Sequence, residues 1–217
     1  MNSFVFSEIW QGFLQTLQMT LVSIVIAYVV GLPLGVLLVV TEKGSVLPNR
    51  PVNLVLGIVI NIFRSIPFMI LLVFLIPFTR LIAGTSIGTT AAIVPLSVGA
   101  IPIVARMVES SLKEVPPGII EAAQSMGATP FQMITGFLLP EAVPSLLLGV
   151  AINLSTVLGY SAMAGCIGGG GLGDIALRYG YYRYQTDVLL ITVVVLILIV
   201  QLFQEIGTRL SVKSRHS

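Results

Sequence analysis

Five long apolar stretches, separated by shorter polar segments, dominate the chain. They run roughly over residues 16–40, 52–78, 88–108, 143–164 and 187–207. A helix needs about 20 mostly apolar residues to cross a bilayer, and each stretch is long enough. The pattern predicts an all-α integral membrane protein with five transmembrane helices.

A charge interrupts the second apolar stretch. Arg64 lies inside it and Pro67 follows, so we expect this span to be broken or kinked. An arginine at the bilayer centre costs about 2.5 kcal/mol or more. Two explanations remain open. Either Arg64 reaches the membrane interface because the true span begins later, or it faces a solute pathway or a dimer contact.

The segment between the third and fourth spans, residues 114–140, has strong local signals of its own. Prolines at 116–117 can open a helix, and Gly127 is a natural helix stop. Thr129 then begins a capping box, and Pro140 is predicted to end the second helix. The segment is therefore predicted to form two short helices joined by a glycine turn. It is either an ordinary helical hairpin or a docking device.

Composition supports a lipid environment. The chain has 217 residues, of which 56% are hydrophobic and 9% charged, and its mean hydropathy is +1.02. Soluble domains carry about 25% charged residues. A globule of this composition could not cover itself with polar surface.

The distribution of basic residues predicts the orientation. With five spans, the loops 41–51 and 106–137 share one side with the C-terminal tail. Cytoplasmic loops carry the excess of lysine and arginine, so the N-terminus is expected outside and the C-terminus in the cytoplasm. The count is seven against three: Lys43, Arg50, Arg106, Lys113, Arg209, Lys213 and Arg215 against Arg80, Arg178 and Arg183.

Several classes of protein chemistry are excluded or disfavoured. The chain has one cysteine, Cys166, and one histidine, His216, so we expect no internal disulfide, no metal site and no catalytic residue. No basic leader precedes the first span, and no GxxxxGK[ST] loop occurs. Glycines within 168–173 fit GxGxxG, but they follow a spanning helix rather than a strand. We therefore expect no nucleotide site here, and no nucleic-acid partner.

The segment at 114–140 also carries a known motif. It reads Glu121-Ala122-Ala123, three residues, Gly127, and then Leu139-Pro140. This pattern resembles the EAA motif of bacterial ABC importer permeases. The resemblance implies a cytoplasmic coupling helix that fits a cleft on a separate ATPase. The coupling residues that it implies are Glu121, Ala122, Ala123, Gly127, Ala128 and Pro140.

The resemblance extends over nearly the whole chain. The blocks FRSIPF (63–68), IPFTR (76–80), GTSIG (84–88), ARMVE (105–109), GYSAMAG (159–165) and GGGGLGD (168–174) are similar to the permeases of methionine-uptake ABC transporters. This implies a single permease domain, residues 1–217, in the bacterial inner membrane. It would import methionine, in the L and also the D form, by alternating access.

The same resemblance implies partners. We expect a homodimer with two cytoplasmic ATPases that hold the ATP and magnesium, a periplasmic or lipid-anchored solute-binding protein, and membrane lipid. The chain itself would carry no cofactor and catalyse no reaction. The alternatives are a permease for another small amino acid and a stand-alone ion-coupled carrier. The carrier predicts titratable groups near mid-membrane, and none of the nine acidic residues lies deep in an apolar run.

Polar residues in the fourth span suggest a solute pathway. Polar side chains within hydrocarbon usually face protein or a cavity. Hydrogen bonding between helices and ordinary packing are the alternatives for each single residue. Met163, at the outer end of the span, would form a gate where two copies meet. The pathway and gate residues are predicted to be Arg64, Asn153, Tyr160, Ser161 and Met163.

The outer segment, residues 165–186, combines glycines with charged residues and tyrosines. Tyrosine and arginine are favoured at protein interfaces. Tyrosine is also favoured at the membrane surface, so an aromatic belt is the alternative. A docking site for the solute-binding protein would use Asp174, Arg178 and Tyr181.

Overall fold

All regular secondary structure in the computed structural model, which describes residues 3–214, is helical. The predicted all-α class is confirmed. Arg215 and His216, used above, lie outside the described residues. The helices are α1 Ser3–Val40, α2 Arg50–Ser65, α3 Phe68–Phe74, α4 Ile76–Ala83, α5 Thr89–Lys113, α6 Pro117–Ser125, α7 Pro130–Met133, α8 Leu139–Gly165, α9 Gly171–Ile175 and α10 Thr186–Ser214.

Four helical stretches are long and apolar enough to cross a membrane by themselves: Val5–Val40, Thr89–Lys113, Pro130–Gly165 and Thr186–Ser214. A fifth crossing is formed if α2 and α3, which meet at an angle of 99°, count as one broken span. Each predicted apolar stretch therefore has a counterpart, and the predicted break in the second one is present.

The break between α2 and α3 follows from Pro67. Ile66 is extended, with φ −80° and ψ 122°, and Pro67 caps α3. The ring of a proline disfavours helical geometry in the preceding residue and removes a backbone donor. The helix axis turns by 99° at this point.

The predicted stop at Pro140 is wrong. The chain stays helical from Pro130 to Gly165, through a π-helical turn at Ile134–Leu138. In a regular α-helix the Pro140 ring would clash with the carbonyl four residues earlier, at Gly136. The wider turn, in which the Leu139 N–H donates to the Ile134 carbonyl, makes room for the ring. The second predicted short helix is thus the lower part of the fourth span.

The core is centred on the contact between α1 and α5, with α8 packed beside them. Gly31 and Gly35, four residues apart on α1, face α5. A Cβ on Gly35 would lie 2.6 Å from the Ala105 carbonyl oxygen and 2.6 Å from the Val108 Cβ. Small residues at this spacing let two membrane helices approach closely.

We expect Gly35→Ala to destabilise the protein by about 2 kcal/mol, because the added methyl overpacks a backbone contact that cannot move aside. The measurement is the thermal unfolding midpoint in detergent. Gly118→Ala is the control, since a Cβ there meets nothing within 4 Å. Equal midpoints for the two variants would show that the α1–α5 approach is looser than described.

The helices place their connections at two ends of the bundle. The first is called the elbow end, because it holds α6 and α7, residues 117–133. There the α1–α2 loop lies beside the end of α5, and Lys113 Nζ pairs with Glu42 at 2.9 Å. The second is called the glycine end, after the glycines within residues 168–173. There the N–H groups of Gly171 and Leu172 donate to Gln15 and Thr16 on α1. Which end faces the cytoplasm stays a prediction.

Candidate functional site: an elbow at one end and a cavity in the bundle

The elbow, residues 117–133, is built by local signals. Pro116 precedes α6, and Gly127 follows it with φ +76°, a left-handed conformation that side chains rarely adopt. The Thr129 hydroxyl accepts from the Gln132 N–H, and Gln132 Oε1 accepts from the Thr129 N–H at 2.8 Å. The predicted glycine turn and capping box are both confirmed. They fix the angle between α6 and α7.

Two apolar side chains project from this elbow. Met126 is 70% exposed and Phe131 is 74% exposed, on either side of the glycine turn. Helical spacing from the sequence places Met126 on one face with Ile119, Ile120 and Ala123, but the structure separates it from them. Helix α6 ends at Ser125, so the residue after it leaves the helical periodicity.

The residues of the Glu-Ala-Ala motif point in different directions. Glu121 and Ala122 are exposed, whereas Ala123 is fully buried against the bundle. Ile119 and Ile120 pack against the main core as well, so one face of α6 is held by the bundle. Among the three motif residues, Glu121 and Ala122 are thus available to a partner.

A series of polar contacts joins α5 to α2. Arg106 donates to the Gly57 carbonyl at 3.2 Å and to Asn61 Oδ1 at 2.8 Å, both on α2. Its other terminal nitrogen pairs with Glu109 at 2.6 Å, and Glu109 pairs with Lys113 at 3.0 Å. Sequence reasoning counted Arg106 only as a loop charge. The alternating charges at 106, 109 and 113 on one helix face were the available signal.

A cavity of about 210 Å³ opens where α2 breaks. Arg64 lines it from the end of α2, and Tyr160 lines it from α8. The Phe68 and Tyr160 rings are stacked, with centroids 4.1 Å apart and planes 1° apart. Two of the predicted pathway residues are thus brought together from segments about 100 positions apart.

The other predicted pathway residues lie elsewhere. The Asn153 amide, 1% exposed, donates to the Tyr28 hydroxyl at 3.0 Å, which favours hydrogen bonding between helices. The buried Ser161 hydroxyl donates to the Leu158 carbonyl within its own helix. Met163 is 43% exposed, so its side chain is available to a second copy. None of the three lines the cavity at Arg64.

At the glycine end, the predicted docking residues differ in their surroundings. Arg178 pairs with Asp174 at 3.1 Å and with Glu8 at 3.3 Å. Its guanidinium also lies 5.0 Å from the centre of the Tyr179 ring. Tyr181, by contrast, is 65% exposed. The charges are engaged within the chain, and the tyrosine is presented outward.

A family model described as the binding-protein-dependent transport system inner membrane component matches residues 31–210. The chain belongs to this family. It is 57% identical over 196 residues to the probable D-methionine transport system permease protein MetI of Vibrio cholerae, covering 90% of this chain and 87% of that protein. It is 50% identical over 203 residues to the MetI of Pasteurella multocida, covering 94% of both proteins.

A solved structure supports the same membership. A chain of the MetNI methionine ABC transporter, in an inward-facing conformation, matches with a TM-score of 0.97 and 49% identity, over 99% of both chains. The elbow and the residues that line the cavity both lie within the matched residues.

Proposed function

We propose that the chain is the permease subunit of an ATP-driven methionine importer. The observation that carries the proposal is the structural agreement with the MetNI chain over the full length, at 49% identity. The permease catalyses no reaction, and the ATP and magnesium belong to a separate ATPase subunit. A permease for another small amino acid is the remaining alternative.

The proposed assembly follows from this role. The whole chain, residues 1–217, acts as one transmembrane domain in the bacterial inner membrane, with the elbow end in the cytoplasm. Two copies pair with two ATPases, because closed two-fold symmetry gives each elbow one partner. A solute-binding protein delivers the substrate at the opposite side. Lipid covers the exposed apolar face of α10, which includes Val194, Leu198 and Leu202.

Coupling to the ATPase is proposed to use the elbow within residues 114–140. Glu121 supplies a charged contact and Ala122 allows close approach, since both are exposed. Gly127 and Ala128 fix the turn, and the buried Ala123 seats α6 on the bundle. Pro140 acts through the π-helical turn, which leaves the elbow continuous with the fourth span.

The test of this function is reconstitution. The permease, its ATPase and the binding protein are placed in proteoliposomes, and uptake of radiolabelled methionine is measured with ATP and with a non-hydrolysable analogue. ATP-dependent uptake of methionine is expected. Uptake of a different amino acid in place of methionine would overturn the substrate, and uptake without the ATPase would overturn the ABC assignment.

The pathway is proposed to include Arg64 and Tyr160 at the cavity, with Asn153 and Ser161 holding the fourth span in place. Met163 is proposed to form the gate with its copy in the second permease. Its thioether adapts to an irregular gap, and its exposure in the single chain leaves it free for that contact.

We expect Met163→Ala to raise the ATPase activity that is not coupled to transport. The increase should be about twofold to tenfold, which corresponds to the loss of contacts worth about 1 kcal/mol. The measurement is the ratio of ATP hydrolysed to methionine imported in proteoliposomes. Met163→Leu, which keeps the side-chain volume, is the control. An unchanged ratio in Met163→Ala would remove the gate.

Docking of the binding protein is proposed at the glycine end, around Tyr181. Asp174 and Arg178 hold the segment in shape through their ion pair, so their effect on docking is indirect. An aromatic belt in the lipid interface is the alternative. A photo-crosslinker placed at position 181 distinguishes the two, since it should capture the binding protein in the first case and lipid in the second.

A further inference from the structure

Arg64 has no counter-charge in the part of the chain that the structure describes. Among the residues that the structure describes, no carboxylate pairs with its guanidinium and no acceptor bonds to it. Its side chain is exposed in the single chain, whereas Lys113 and Arg178 each pair with carboxylates. An unpaired charge among apolar helices is costly, so such residues generally mark a functional partner.

The position of the guanidinium narrows the choice of that partner. The cavity borders Gly99 on α5, ten residues after Thr89, which is about 15 Å along the helix axis. The hydrocarbon core is about 30 Å thick, so this level is close to mid-bilayer. Lipid phosphates lie at the bilayer surfaces. An anionic group that reaches the middle of the bilayer therefore belongs more readily to a solute than to a lipid.

The walls of the cavity indicate the rest of the solute. The stacked Phe68 and Tyr160 rings both line it. Beside Arg64 and Gly99, the other lining residues are apolar: Phe63, Ile66, Leu71 and Ile103. At about 210 Å³ the cavity is smaller than typical drug-sized pockets, which begin at about 300 Å³. It suits a small molecule with one anionic group and a flexible apolar chain.

We propose that the Arg64 guanidinium binds the α-carboxylate of the translocated amino acid in this cavity, while the stacked Phe68 and Tyr160 contact its apolar side chain. Arginine and carboxylate match in a two-point geometry. A thioether beside an aromatic ring is a favourable contact. The inference rests on the proposed function and gives the permease a substrate site of its own.

The test uses photo-methionine, a diazirine analogue that keeps the amino and carboxylate groups. The permease–ATPase complex in lipid nanodiscs, without the binding protein, is irradiated with the probe, and crosslinked permease peptides are mapped by mass spectrometry. Crosslinks are expected in residues 63–71 and around Tyr160. Excess methionine should compete with them, whereas 3-(methylthio)propylamine, which lacks the carboxylate, should not.

Variants separate the carboxylate contact from general binding. Arg64→Gln should reduce these crosslinks about tenfold or more, because a charge-assisted bond is lost. Arg64→Lys, which keeps the charge without the two-point geometry, should give an intermediate yield. Arg80→Gln is the matched control, since Arg80 is also exposed and lies outside the cavity. Its crosslinks should equal those of the unmodified chain.

Failure of the proposed substrate site and failure of the proposed function give different results. If the reconstituted transporter imports methionine but no crosslink falls in the cavity, the inference is overturned and the function stands. Crosslinks that survive Arg64→Gln, or that the amine displaces as well as methionine does, also overturn it. Failure of ATP-driven methionine uptake in the unmodified complex would overturn the proposed function, and with it this site.

Discussion

We expect Phe131→Asp to abolish co-purification of the ATPase with the permease. Phe131 projects from the start of α7 and is 74% exposed, next to the capping box that fixes its direction. Aromatic residues at the centre of an interface often contribute 2 kcal/mol or more each, and a carboxylate would have to be buried in the same place. The affinity should fall by at least about thirtyfold.

The measurement is the ratio of ATPase to permease after affinity purification in mild detergent, determined by mass spectrometry. Phe131→Leu is the matched control, because it keeps an apolar side chain at the same position and should retain the complex. Met126→Asp, on the other side of the glycine turn, should weaken it similarly. Full recovery of the ATPase with Phe131→Asp would place the interface elsewhere on the elbow.

Arg106→Met should destabilise the permease by about 3 kcal/mol and reduce methionine uptake at least tenfold. The guanidinium bonds α5 to the α2 helix that carries Arg64. Its removal leaves Asn61 and the Gly57 carbonyl without their donor and takes one partner from Glu109. Breaking a largely buried pair typically costs 3–5 kcal/mol, and partial exposure of Arg106 places the effect at the lower end.

Thermal unfolding and uptake in proteoliposomes are measured together. Arg50→Met, at the exposed start of the same α2 helix, is the control and should change neither quantity by much. Arg106→Lys keeps the charge beside Glu109 but cannot span both acceptors on α2, so it should recover stability more than transport. Normal uptake in Arg106→Met would show that the contact between α5 and α2 does not transmit movement between the elbow and the cavity.

The two predictions concern one series of contacts, which runs from the elbow to the cavity at Arg64. The elbow lies beside the loop that carries Glu42, which contacts Lys113 on α5. From there Glu109 and Arg106 lead to Asn61 on α2, one turn before Arg64. We expect a movement of the elbow to reach the cavity through this series of contacts, and Arg106 is the residue whose removal interrupts it.

Local signals in the sequence were enough to predict the helical architecture and the elbow. Long apolar runs predict spanning helices because backbone groups in lipid must bond within their own segment. Pro67 breaks a helix and Gly127 ends one through backbone geometry alone, and Thr129 caps through a bond three residues away. These effects depend on neighbouring residues, so they can be read without knowing the fold.

The site itself depended on contacts between distant segments, which no local pattern encodes. The π-helical turn keeps Pro140 within one helix from Pro130 to Gly165, which the rule that proline ends a helix does not predict. Ala123 is buried while Ala122 is exposed because of where α6 meets the bundle. Arg106 bonds to Asn61 because α2 packs against α5. Arg64 and Tyr160 line one cavity because the chain turns at Pro67 into α3, which packs against α5 and α8. The residues of this permease were visible in its sequence, and their arrangement was decided by packing.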